Sequence, residues 1–99
     1  MDWITFVKKD NVKKAEEKLK SDFNIAAKQS ITVRDAKALE INKEGSFFLI
    51  SGTEDGIKKC KDLIKEFIEE TNEKELNKAK EKIKEEEEKA AEAFGGILG

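Results

Sequence analysis

Histidine is absent from this sequence, and cysteine occurs once, at Cys60. Those two scarcities exclude an intramolecular disulfide and any imidazole or thiolate metal cluster within one chain. No glycine precedes Gly45, and Gly52 and Gly56 have neither the spacing of a phosphate-cradling loop nor a following Gly-Lys-Ser/Thr. Long apolar runs are missing too. Trp3-Ile4-Thr5-Phe6-Val7 is apolar but short, with no basic segment before it, so it reads as neither a secretory signal nor a membrane span. Nor is there a large excess of one charge. Residues 1–52 hold ten Lys/Arg against eight Asp/Glu, and residues 53–99 hold ten against fourteen, so +2 and −4 give the net charge of −2. Neither half has the one-signed excess of a dedicated nucleic-acid binder. The expected setting is a cytoplasm, and the Lys/Glu-rich, Gln- and Met-poor composition suits a hot-environment source or simply a solvated helical surface.

What the chain does contain is an apolar strand running into a capped helix. In Ser46-Phe47-Phe48-Leu49-Ile50-Ser51-Gly52-Thr53-Glu54-Asp55-Gly56, alternation puts Phe47 and Leu49 on one face and Phe48 and Ile50 on the other. Such a strand belongs at the centre of a sheet. Thr53 can accept from an orphan backbone donor of the next turn, and Glu54 and Asp55 sit at the positive end of the helix dipole.

Residues 3–7 read as a first strand. Asp10 or Asn11 can cap a helix to about Phe23, with Val12, Ala15, Leu19 and Phe23 as its apolar stripe. Residues 25–30 have no decisive period. Ile31 and Val33 alternate with Thr32 and Arg34 as in a half-buried strand, and Leu39 and Ile41 do the same against Glu40 and Asn42. Asn42-Lys43-Glu44-Gly45 is a hairpin connection with Gly45 available for positive φ. Ile57, Cys60, Ile64, Phe67 and Ile68 form a second helical stripe. The predicted fold is α+β: a two-layer sandwich of order β-α-β-β-β-α, an antiparallel sheet with helices on one face, followed by a protruding charged C-terminal helix. Residues 1–70 make the head domain and residues 71–99 the arm. Leu76, Ala79, Ile83, Ala90, Ala93 and Ile97 fall on one seam of that arm, which offers a homo-oligomerisation device as one alternative.

No catalytic constellation appears, and no cofactor or metal is expected. Cys60 lies on an apolar stripe, where a small buried hydrophobe is the expected role. Glu85 to Glu88 read as a solvated charge run. The chain is expected to be no enzyme but an interaction protein, whose apolar end offers Phe94, Ile97 and Leu98 to a protein partner. A second alternative is an RNA- or DNA-binding module with Lys8, Lys9, Lys13 and Lys14, and with Lys18 and Lys20 nearby, as candidate contacts.

Two resemblances bear on this. The stretch from Leu39 to Lys65, with a Gly-containing turn, a strand ending Ile50-Ser51-Gly52-Thr53 and a helix beginning Gly56-Ile57-Lys58-Lys59-Cys60, is similar to the last two strands and final helix of KH domains. The Gly-x-x-Gly loop with which KH domains clamp RNA is absent, so this resemblance implies local topology rather than RNA binding. The same strand-helix order also resembles small archaeal α+β proteins, some with a TATA-binding-protein-like arrangement. Residues 85–99, ending Ala90-Ala91-Glu92-Ala93-Phe94-Gly95-Gly96-Ile97-Leu98-Gly99, resemble the C-terminal tail of archaeal ribosomal stalk proteins. That resemblance implies a translational GTPase or another ribosome-associated component as the partner.

Overall fold

The computed structural model describes the backbone of residues 1–98 and side chains as far as Ala90. Its elements in chain order are β1 (Asp2–Lys8), α1 (Val12–Ser21), β2 (Ser30–Asp35), β3 (Gly45–Ser51), α2 (Glu54–Ile64), β4 (Ile68–Glu69) and α3 (Glu73–Leu98). The four strands form one antiparallel sheet in the order β2-β3-β1-β4. The apolar strand β3 is therefore central, as its two-faced hydrophobicity demands. It pairs along its whole length with β1, from Asp2 opposite Ser51 to Lys8 opposite Gly45.

Register decides which side chains meet. Val7, Phe48 and Ile50 point to one face and pack with Ala15 and Leu19 of α1 and with Ile57, Cys60 and Ile64 of α2. Phe6, Phe47 and Leu49 point to the other and pack with Leu39, Ile41, Ala79 and Ile83. The predicted α+β class, the antiparallel sheet, the two helices on one face and the charged C-terminal helix are all present. The first half of α3 does more than the sequence suggests: it lies on the second face of the sheet, with Ala79 and Ile83 fully buried. Among the described residues the polar contacts of α3 with the sheet reach as far as Glu87, and the core is shared across the expected boundary at residue 70.

Three local differences have physical causes. Leu39 and Ile41 do not form a strand. Residues Lys37–Leu39 make a 3₁₀ turn closed by Glu40 in the left-handed region at φ 61°, and Ile41 N–H bonds back to Ala36 O at 2.9 Å. Their alternation is the accident of a turn whose two apolar residues both drop beneath α3. The place beside β3 is filled by β2, and the fourth strand is β4, which takes Ile68 from the expected second helical stripe and pairs with Phe6 and Val7 at the far side of β1. Helix α1 stops at Ser21, so Phe23 leaves the apolar stripe and is 77% exposed. Asn11 is the residue before α1, but its side chain makes no capping bond.

Other local expectations hold. Thr53 Oγ1 accepts from Gly56 N–H at 3.0 Å, capping α2, with Glu54 and Asp55 in its first turn. Gly45 has φ +155°, and a Cβ there would run into the Val7 carbonyl and the Phe6 ring, so the close approach of β3 to β1 requires glycine. Cys60 is buried, and burial pushes its thiol pKa up, with Asp22 adding to the effect.

Candidate functional site

The element with the most to explain is α3, because its sequence is polar and its environment is not. Its start is fixed by a reciprocal cap. Asn72 Oδ1 accepts from Glu75 N–H at 2.8 Å, while Asn72 Nδ2 donates to Glu75 Oε1 at 3.0 Å. The spacing Asn72-x-x-Glu75 is legible as a helix start. Leu76, Ala79 and Ile83 then face the sheet, seated on Ile4, Phe6, Phe47 and Leu49.

Charged groups fasten the helix along its course. Near its start Lys43 lies 3.5 Å from Glu75 and donates to Thr71 Oγ1 at 2.8 Å. Over the middle, Lys82 donates to the Glu40 carboxylate at 2.7 Å and Lys78 to the Glu40 carbonyl at 3.3 Å, so the left-handed Glu40 turns both its acceptors to the helix. Lys84 donates to Asp2 Oδ2 at 2.5 Å, Ser51 Oγ donates to Asp2 Oδ1 at 2.6 Å, and these bonds hold the Asp2 carboxyl pKa at about 2, below its ordinary range. At the edge strand, Arg34 Nε donates to Glu86 at 3.1 Å and Thr32 Oγ1 to Glu87 at 3.1 Å. These contacts move from β1 to β2 as the chain advances, so the helix crosses the sheet and leaves it over β2. Among the described residues, the polar ties of α3 to the sheet end at Glu87, whereas the helix continues to Leu98.

Among the described residues, no strand pairs with the outer side of β2 at that same edge. Ala36 N–H bonds Gly45 O at 2.9 Å, which fixes the even-numbered residues of β2 as those bonded to β3. Ile31, Val33 and Asp35 therefore direct their N–H and C=O groups outward. The side chains of Ile31 and Val33, only partly buried, line with Leu19, Glu16 and Lys20 a cleft of about 250 Å³.

No protein-family model, curated protein or solved structure matches this chain. The residues themselves must carry the functional argument.

The side chains of Phe94, Ile97 and Leu98, the expected partner-binding residues, lie outside the described residues. The candidate nucleic-acid contacts are described, and they do not make a free basic patch. Lys8 lies 3.7 Å from Glu69 and Lys9 4.0 Å from Glu44, while Lys13 and Lys14 sit on the exposed side of α1. Lys8 and Lys9 border a cleft of about 470 Å³ whose charged lining is Lys8, Lys9 and Lys43 against Asp10, Glu44 and Glu69. Three positive charges against three negative leave no net attraction for a phosphate backbone there. Lys18 is likewise paired with Glu66 at 3.0 Å. The oligomerisation seam is divided: Leu76, Ala79 and Ile83 are committed to the sheet, and Ala90 is exposed.

Sequence reasoning also missed Gln29. Its carboxamide lies over Gly52 and Gly56, where a Cβ on either glycine would collide with it. Gln29 Oε1 accepts from Thr53 N–H at 3.2 Å and Nε2 donates to Ile25 O at 2.9 Å. The start of α2 is thus satisfied from within, and the two glycines serve as a seat for Gln29. Among the described residues no cluster of His, Cys, Asp or Glu could hold a metal ion, and no helix is long and apolar enough to cross a membrane.

Proposed function

We propose that this chain is a non-enzymatic interaction protein in which the sheet and its two helical covers form a mount for the C-terminal end of α3. The observation that carries the reading is the anchoring of α3. Its first half is fixed to the sheet by Leu76, Ala79 and Ile83 and by ion pairs from Lys43 to Arg34, and among the described residues its last polar tie is at Glu87. A helix rooted in this way supplies an address for its own C-terminal end, the sequence Ala90 to Leu98, which contains Phe94, Ile97 and Leu98. Burying each of those three side chains in a partner's groove contributes about 1.5–3 kcal/mol, about 4.5–9 kcal/mol together before the cost of association, which suits weak and reversible binding. The likeness of this end to archaeal ribosomal stalk tails makes a translational GTPase or a ribosome-associated factor the first partner class to test, in a cytoplasmic setting.

The test is titration of a translational GTPase into the isotope-labelled full chain, in parallel with a variant carrying Phe94→Ser, Ile97→Ser and Leu98→Ser. The proposal expects signals after Ala90 to shift in the parent chain and not in the variant, with the sheet resonances unchanged in both. Equal binding by the two proteins would overturn it.

A further inference from the structure

The role proposed for the end of α3 leaves a second surface beside it unused, the free edge of β2. Among the described residues, the six of Ser30–Asp35 pair with a strand on one side alone, and Ile31, Val33 and Asp35 point their backbone groups outward, with the Val33 carbonyl accepting from Arg34 Nη1 at 3.0 Å. Exposed edges are usually protected by proline, by lysine or by a bulge. Here the strand reads Ser-Ile-Thr-Val-Arg-Asp, its register with β3 is unbroken, and its one cation, Arg34, divides its donors between Glu86 and the outward carbonyl of Val33, leaving the outward N–H groups of Ile31, Val33 and Asp35 for a partner. We infer that the β2 edge is a docking site for an extended segment of another protein in which apolar residues alternate with lysine or arginine.

Both halves of that specification come from the two faces of the edge. A strand added alongside β2 places alternate side chains on opposite faces. On the α1 side they meet the cleft formed by Leu19, Ile31 and Val33, whose two charged neighbours, Glu16 and Lys20, cancel. Apolar side chains belong there. On the other side they meet α3 as it crosses the edge, where Glu86 and Glu87 reach Arg34 and Thr32 of β2, Glu85 and Glu88 are exposed beside them, and only Glu86 forms an ion pair among the described residues. Cations belong there.

The charge also decides against the other natural occupant of an open edge, a second copy of this chain. Two copies pairing β2 antiparallel in one sheet keep their α3 helices on the same face. Each helix crosses the shared edge at Glu86 and Glu87, so the dimer would bring the two glutamate runs together. A basic strand converts the same run from repulsion to attraction.

The test uses the full chain, isotope-labelled, with a blocked octapeptide alternating valine and lysine as probe and its valine-glutamate counterpart as control. The expected result is amide shifts at Ile31, Val33 and Asp35, exchange at Ile31 and Val33 slowed about tenfold at saturation, and affinity falling with salt. The glutamate peptide should bind at least about tenfold more weakly. Val33→Pro should abolish binding while preserving the sheet, since the Val33 N–H points away from β3 and proline is tolerated at such a position. Should Val33→Pro not fold, Glu87→Gln with Glu88→Gln decides alone: it should weaken the lysine peptide and flatten its salt dependence. The triple serine variant of Phe94, Ile97 and Leu98 should bind the peptide as the parent does, which separates this inference from the proposed role of the C-terminal end. Equal binding of the two peptides, absence of shifts in β2, or a mass that doubles with concentration while the β2 amides become protected would each overturn it.

Discussion

The two faces of the sheet are equally buried but sealed in different ways. Under α1 and α2 the seal is made from both sides: Leu19, Ile57, Cys60 and Ile64 descend from the helices onto Val7, Phe48 and Ile50. Under α3 the sheet and the 36–41 turn supply most of the apolar surface, through Phe6, Phe47, Leu49, Leu39 and Ile41, and the helix adds Leu76, Ala79 and Ile83. The deficit is met by charge. Ion pairs and hydrogen bonds at Asp2, Arg34, Glu40 and Lys43 ring the second interface, while among the described residues the first has the single cross-element pair Lys18–Glu66 at its rim. A cover needs a strong apolar stripe of its own only when the surface it covers does not provide one.

The sharpest test of this difference is a pair of core truncations. Phe48→Ala, beneath α1 and α2, should cost about 3–5 kcal/mol and lower the urea midpoint for every probe together. Ile83→Ala, beneath α3, should cost about 2–4 kcal/mol. If the second face is the weaker seal, hydrogen exchange in this variant will show residues 73–87 opening before β1 and β3; simultaneous exchange would show α3 to be as integral as the other helices. A smaller effect is expected from Thr53→Ala, which removes the α2 cap from Gly56 and should cost about 1 kcal/mol in chemical denaturation.

Asp2 gives the smallest effect and the one that isolates the ionic component. Its carboxyl is held at about 2 by Lys84 and Ser51. A folded-state pKa depressed below the unfolded value contributes stability that is fully present above about pH 4 and lost as pH falls toward 2. Because the side chain is 24% exposed, solvent screening reduces the contribution to about 1 kcal/mol. Asp2→Asn should therefore be less stable than the parent at pH 6 by about that amount, and the difference should vanish near pH 2. A difference independent of pH would mean that the ion pair is ornamental and that packing alone holds α3.

Legibility in the sequence tracks the same asymmetry. The central strand, the Thr53 cap and the second helix are readable because each carries its own local pattern, and alternation correctly assigns Phe47 and Leu49 to a face of their own. What those two residues require is a cover for that face. The cover escapes a reading by periodicity because such a pattern is sought in the helix, and between Glu73 and Lys89 the helix offers only Leu76, Ala79 and Ile83. The Asn72-x-x-Glu75 cap marks its start, and the apolar reverse of β3 marks its destination. Residues 36–41 mislead for the opposite reason, since two buried residues of a turn happen to alternate. The open edge of β2 has no signature in sequence at all, because whether a strand has one neighbour or two is decided by chain topology.

The order of the layers along the chain has one further consequence, for how the protein is made. Strands β1 and β3 and helices α1 and α2 all precede α3, so one side of the sheet can close while the other still lacks its lid. At common elongation rates the stretch from Glu73 to Glu87 takes about one to three seconds to add. Until Leu76, Ala79 and Ile83 arrive, Phe6, Phe47 and Leu49 lack the cover they have in the folded protein, a sticky surface that a chaperone can shield.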